Sequence, residues 1–419
     1  MPDASAPESL KQPAMPMPRK QSVLVFMALA LAHFFSTLIR AITATLAPTL
    51  KTELDLQASD LGLLASGYFF GFALMQMPLG QWLDRHGPRR VLLVLLTLAV
   101  IGCLGFAIAD AFTSLLLARV LCGAGVSACL MAALTGYRRW FDTRVQLRAN
   151  AWMLMVGSMG MLFATLPVQW LLSWLDWRVL FALIAAGLLM TQLCIHWCIP
   201  VWVETHREQP EPAGYLDIWK SRPFWRLVPL GFFGFGGLVA IQTLWAGPWM
   251  VQVGGETPMA SATGLFGINL SMLLSFWAWG WITPALHRRG WSIDKLVTWG
   301  TPTSHAAMVW LVSHGPSAPS WIPVMLALFC VCSTFVSLTQ SLVAMSFPSH
   351  LAGRALSSYN LVIFTGVFIS QWAIGYGIDA FQSQGFSLVA AFQWTFAILG
   401  TCSFGAWLFF VAFAPERKD

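Results

Sequence analysis

Two arginines stand in apolar stretches, where a charge is costly and usually functional. Arg40 lies in LAHFFSTLIRAITATLAP and Arg119 in LLLARVLCGAG. From His33, the residues Ser36, Thr37, Arg40 and Thr43 follow at steps of 3, 4, 7 and 10, which is one face of a helix. A polar stripe on an otherwise apolar helix faces a cavity rather than lipid. No Asp or Glu falls in the middle of an apolar run; Asp60, Asp110 and Asp379 sit near run ends. An uncompensated guanidinium fork suits a carboxylate or phosphate. Arg40 is therefore the expected principal anion contact, the alternative being a structural ion pair with Asp60 or Asp379. Further along, Gln242 and Thr243, then Ser333, Ser337 and Gln340, add neutral polar groups, with Trp245 and Trp249 four apart on one face.

A second concentration of charge is GQWLDRHGPRR, Gly80 to Arg90, with Asp84, Arg85, Arg89 and Arg90 between strongly apolar flanks. Only 10% of the chain is charged, so the cluster needs a reason. Catalysis and metal binding find little support. His206, His287 and His350 have no recognisable acid, base or nucleophile set beside them. In CIHWC, Cys194 and Cys198 share a helical face that His196 points away from. The eight cysteines all fall in apolar runs and read as small packing residues. No metal and no cofactor is expected.

These residues are positioned by membrane helices. Of 419 residues 57% are hydrophobic and the mean hydropathy is +0.67, more than a soluble protein of this length could hide. About 20 apolar residues cross a hydrocarbon core of about 30 Å. Twelve such runs are read at 22–47, 59–82, 91–109, 113–136, 149–172, 179–200, 224–250, 261–285, 294–313, 321–347, 356–380 and 386–413. The expected class is all-α and polytopic, with two six-helix bundles (22–200 and 224–413) joined by a polar central loop (201–223). The tails are 1–21 and 414–419. The first twenty residues hold five prolines and no apolar stretch, so they read as a disordered tail rather than a signal peptide.

Lys and Arg gather in cytoplasmic loops. Twenty of the 24 fall in the tails and even-numbered loops or within three residues of them, and two, Lys51 and Arg178, in odd-numbered ones; Arg40 and Arg119 lie deep within runs. Both termini are therefore expected in the cytoplasm of a cell whose inner or plasma membrane holds the protein. The net charge of +6 is then a topology signal and not a nucleic-acid surface. The halves echo each other: at an offset of 206, Phe141 matches Phe347, Arg148 matches Arg354, Ala149 matches Ala355 and Gly160 matches Gly366. Parallel duplication of a six-helix unit fits a transporter.

The pattern Gly80-x-x-x-Asp84-Arg85-x-Gly87-x-Arg89-Arg90, between the second and third runs, resembles the signature of the major facilitator superfamily. Leu115-x-x-x-Arg119-x-x-Cys122-Gly123-x-Gly125 resembles that family's fourth-helix motif, with Cys122 where Gln is frequent. Asp176-Trp177-Arg178-x-x-Phe181 resembles the opening of its sixth helix. The resemblance covers roughly 22–413. It implies that helices 1, 4, 7 and 10 line a central cavity, and that Gly80, Asp84, Arg85, Gly87, Arg89 and Arg90 form a gating latch. In that latch Asp84 would face the N-terminus of the eleventh helix. The second-half echo, Gly280 to Gly290, has Pro284 where the aspartate would fall.

Taken together, these residues predict a secondary active transporter of a small organic anion working by alternating access, and no enzyme. The expected contacts are Arg40, His33, Ser36, Thr37, Arg119, Gln242, Trp245, Ser337 and Gln340, with Arg119 either a contact or structural. A coupling proton or ion is possible, and His33 is the candidate carrier because its unperturbed pKa is near neutrality. GFFGFGG, Gly231 to Gly237, would let the seventh helix bend. The runner-up is an exporter of drug-like or siderophore-like compounds; the resemblance implies a Gly-Pro-bearing motif in the fifth run of such antiporters, and VGSMGMLFATLP carries no proline directly after Gly157 or Gly160, which disfavours it. A non-transporting sensor or assembly factor on the same fold would not need the polar stripes.

Overall fold

The computed structural model describes residues 17–201 and 215–413. Most of the N-terminal tail, most of the central loop and all of the C-terminal tail lie outside them. The described chain is helical throughout: α1 (Arg19–Glu53), then a 51-residue run Ala58–Ile108. Next come α4 (Phe112–Trp140), α5 (Arg148–Leu171), α6 (Trp177–Cys198) and α7 (Arg222–Val253). The remainder is α8 (Pro258–Arg288), α9 (Ile293–His314), α10 (Pro319–Met345), α11 (Ser349–Ser383) and α12 (Leu388–Ala412).

At about 1.5 Å per residue the 51-residue run is more than twice as long as a bilayer core is thick. It must cross twice. Gly87 supplies the break, with φ 73° and ψ 165°, and Pro88 begins the next helix without needing a backbone donor. The two limbs are α2 (58–86) and α3 (88–108). The sequence predicts a loop over 83–90, and the chain turns there on one glycine instead. Between α8 and α9 the break is longer, the four residues 289–292, and it too carries a positive-φ glycine, Gly290 at φ 80°.

Each of the twelve apolar runs falls on one of these helices. Ten helices are long and apolar enough to span a membrane, the Ala58–Ile108 run counting as one. Several extend past their apolar runs: α1 continues to Glu53 and α11 covers 35 residues. Helix hydrogen bonding does not stop where the hydrocarbon stops. Successive helices alternate in direction, so Met17, the Gly87 turn and Phe413 lie at one end, here the terminus end. The outer surface is apolar, with Val94, Leu117, Trp277 and Val309 exposed for contact with lipid. This is an integral membrane protein.

Small residues let the helices pack. A Cβ on Gly123 would lie 1.8 Å from the Tyr68 carbonyl oxygen, and one on Gly71 would lie 2.0 Å from that of Val120. Close helix approach of this kind is what holds membrane bundles together. Gly123→Ala is expected to force α2 and α4 apart at a cost of about 1–3 kcal/mol. Thermal unfolding in detergent should show a lower Tm; an unchanged Tm would contradict the packing.

Charged clamps tie the helix ends. At the far end, Glu53 accepts hydrogen bonds from Trp177 Nε1 (2.6 Å) and from Arg178, which also reaches Asp110 at 3.5 Å. At the terminus end, both Nη atoms of Arg226 donate to the Asp294 carboxylate at 2.9 Å. Its Nε donates to the Phe410 carbonyl at 2.9 Å, joining α7, α9 and α12. α7 itself is widened by π-helical turns at Leu230–Phe235, Ile241–Trp245 and Trp249–Val253. The first of these covers much of the glycine-rich stretch expected to bend.

Candidate functional site

Arg40 sits half-buried near the middle of α1, where the two halves of the chain meet. Its guanidinium carbon is 5.3 Å from the ring centre of Phe72 on α2 and 5.7 Å from that of Phe364 on α11. These two rings touch each other across the halves, with centroids 4.4 Å apart. The phenol of Tyr68 lies beside the guanidinium and donates to the Ser36 carbonyl at 3.1 Å. Arg40 Nε is buried without a hydrogen-bond partner. Among the described residues Arg40 makes no ion pair. Asp60 instead accepts from the Gln57 amide, and Asp379 from those of Ala58 and Ser59.

A charge held among ring faces with donors to spare can bind an anion. Cation–π contact contributes about 0.5–2 kcal/mol, much less than a paired carboxylate would. Arg40 also lies between elements of both halves, the place where a solute can be exposed first to one side and then to the other.

Arg119 is placed differently. It is only 1% exposed, and its two Nη atoms donate to the Ile39 carbonyl (3.1 Å) and Thr43 Oγ1 (2.6 Å). The Tyr68 ring lies 5.5 Å away. Arg119 thereby stitches α4 to α1 within one half.

The remaining polar stripe of α1 also faces its own half. His33 packs its Nε2 against Gly157 of α5, and its buried Nδ1 has no partner. Ser36 donates to the Val126 carbonyl at 3.4 Å; Thr37 donates to those of His33 and Phe34 and packs on Gly160. In the second half Gln242 donates to Asn269 Oδ1 at 2.8 Å. Trp245 is buried and donates to the Gln371 carbonyl at 3.0 Å. Gln371 in turn donates to Thr243 at 2.9 Å and keeps a buried, unpartnered Oε1. On α10, Ser337 bonds back to the Thr334 carbonyl and Gln340 is half-buried. Ser333 lines a cavity of about 20 Å³ with His305 and Ser403, separate from Arg40.

In the Gly80–Arg90 stretch, Asp84, Arg85 and Arg90 are exposed, and Arg89 Nη2 is 3.5 Å from His196 Nδ1. Space is open around Gly80. Tyr215 is close enough to feel the charges of both Asp84 and Arg354, the latter in the second turn of α11. Burial pushes the Tyr215 phenol above its ordinary pKa, and Asp84 adds to the rise. Among the described residues no group of three or more His, Cys, Asp or Glu could hold a metal ion.

The family model of the Major Facilitator Superfamily matches residues 29–371. The chain belongs to that superfamily. This superfamily member is similar to a probable L-galactonate transporter of Escherichia coli (strain K12), 21% identical over 412 residues and covering 91% of this chain and 88% of the relative. It is similar to the uncharacterized transporter YybO of Bacillus subtilis (strain 168), at 23% over 288 residues and 61% of this chain. A galacturonate transporter of Dickeya chrysanthemi is 26% identical over 157 residues, 38% of this chain. These last two alignments span 64% and 46% of the relatives' own lengths. Among solved structures, a D-xylose-proton symporter superposes with a TM-score of 0.76 at 16% identity, over 95% of this chain and 99% of the other. That likeness carries the fold.

Several residues of the site carry no sequence signal of their own. Tyr68, Phe72 and Phe364 are ordinary members of apolar runs until the helices meet. Gln371 could have been noticed, since a glutamine in VFISQWAIG needs a partner. Glu53 lies at a helix end, and its importance appears only beside Arg178.

Proposed function

We propose that this protein is a secondary active transporter of a small organic anion, with Arg40 as the group that holds the substrate's carboxylate. The observation carrying this is the position of Arg40 at the meeting of the two halves, ringed by Phe72, Phe364 and Tyr68, with a buried Nε and no ion pair among the described residues. An anion entering there would restore the missing charge partner and stack its carbon skeleton on the rings. Relatives named for galacturonate, hexuronate, L-galactonate and cis,cis-muconate support the class, since each of those solutes is a small carboxylate. The Lys/Arg distribution supports an orientation with both termini in the cytoplasm. In this reading 22–200 and 224–413 are the moving halves, and Asp84 with its neighbouring arginines closes the terminus end. Arg119 holds α1 in position and need not touch the substrate.

Thermal stability of the purified protein against organic anions, phosphates, cations and neutral drugs tests the class. A ligand at a hundredfold excess over its Kd stabilises by about 2.7 kcal/mol. A small carboxylate is expected to raise Tm while sugars lacking the carboxylate do not. Stabilisation by cations or apolar drugs alone would favour the exporter instead.

A further inference from the structure

The far end of the molecule is closed by a seam between α2 and α11, one helix from each half. α2 begins with its own capping box, in which Gln57 and Asp60 serve each other's backbone amides. That leaves the first amides of the helix, Ala58 and Ser59, without an internal acceptor. Asp379 of α11 supplies it from the other half: Oδ1 accepts from Ala58 N at 3.1 Å and Oδ2 from Ser59 N at 2.7 Å. The helix dipole favours a carboxylate there, and such charge-assisted bonds are about twice as strong as neutral ones.

The seam continues along both helices. One turn before Asp379, a Cβ on Gly375 would lie 2.2 Å from the Ala58 carbonyl oxygen. One turn further, a Cβ on Gly62 would lie 2.5 Å from the Gln371 carbonyl oxygen. The two backbones are in contact over about two turns, and only hydrogen fits between them. Every group bonded across this seam can be hydrated when it opens, so the contact is strong when shut and reversible. We infer that Asp379 is the lock of the far gate: its bond to the α2 N-terminus holds the halves together there, and releasing it shifts the protein toward the state open at that end. Asp84 lies near the other end of the same helix, so α2 would be latched by a carboxylate at each end. The inference rests on movement of the two halves and not on the substrate; failure to bind anions would leave it standing.

Hydrogen–deuterium exchange on the full-length protein tests it, comparing wild type with Asp379→Asn. Peptides covering 58–66 and 371–383 are expected to exchange about tenfold faster or more, a shift of about 1.4 kcal/mol. Peptides covering 80–90 and 349–356, at the terminus end, are expected to exchange several-fold more slowly, because one gate closes as the other opens. Faster exchange at the far end with no slowing at the terminus end would make Asp379 a local cap and overturn the inference, as would uniform acceleration. Gly375→Ala keeps Asp379 but presses a methyl into the seam. It should give the same opposed pair of changes, and its failure to do so would also overturn the inference.

Discussion

Arg40→Gln is expected to lower affinity for the substrate anion about a hundredfold or more while leaving the fold intact. Removing one member of a desolvated charge pair costs about 2–5 kcal/mol, and each 1.4 kcal/mol is about tenfold in Kd. The fold should tolerate the change because Arg40 contributes ring contacts and no ion pair among the described residues. Taking an uncompensated charge out of the membrane interior also offsets what those contacts lose. Arg40→Lys should fall between the two, since it keeps the charge but loses the two-pronged geometry. Binding measured by ligand-dependent Tm checks this. An unchanged affinity in a folded Arg40→Gln protein would remove Arg40 from the substrate.

Arg119→Ala is expected to do the opposite: a large loss of stability with little change in the affinity of whatever remains folded. The side chain fills a fully enclosed space between α1, α2 and α4, and its truncation leaves a cavity worth about 2–5 kcal/mol. Thr43 Oγ1 and the Ile39 carbonyl also lose their donor, at about 1–3 kcal/mol for each group left unsatisfied. Thermal unfolding without ligand should show the drop, and substrate titration of the folded fraction should give a Kd within about threefold of wild type, roughly 0.6 kcal/mol. A stable Arg119→Ala protein that no longer binds the anion would make Arg119 a second substrate contact.

The contrast between these arginines marks how far the sequence reaches. Both look alike there: a lone guanidinium in an apolar helix. Periodicity reports one helix's own face, so it shows that Arg40 shares a stripe with His33 and Thr43. It does not show that Thr43 turns toward Arg119 while Arg40 turns toward Phe364, 324 positions away. The helices themselves are legible because the bilayer imposes a length, and the break between the second and third is legible as a charged stretch between apolar runs; that it narrows to a turn on Gly87 shows only in the backbone. Asp379 is visible only as a carboxylate near a run end. Its acceptors' role depends on two backbone amides of α2, and backbone groups leave no mark in side-chain pattern. The same holds for Glu53, which becomes a clamp only when α6 brings Arg178 to it.

The most direct test is uptake by the purified protein in proteoliposomes, using a labelled hexuronate and competing unlabelled anions, with Arg40→Gln reconstituted in parallel. Wild type is expected to accumulate or exchange a small carboxylate, competed by other carboxylates and not by the corresponding neutral sugar, and Arg40→Gln to show no uptake above empty vesicles. Uptake of neutral sugars or cations in preference to carboxylates, or full carboxylate uptake by folded Arg40→Gln, would contradict it.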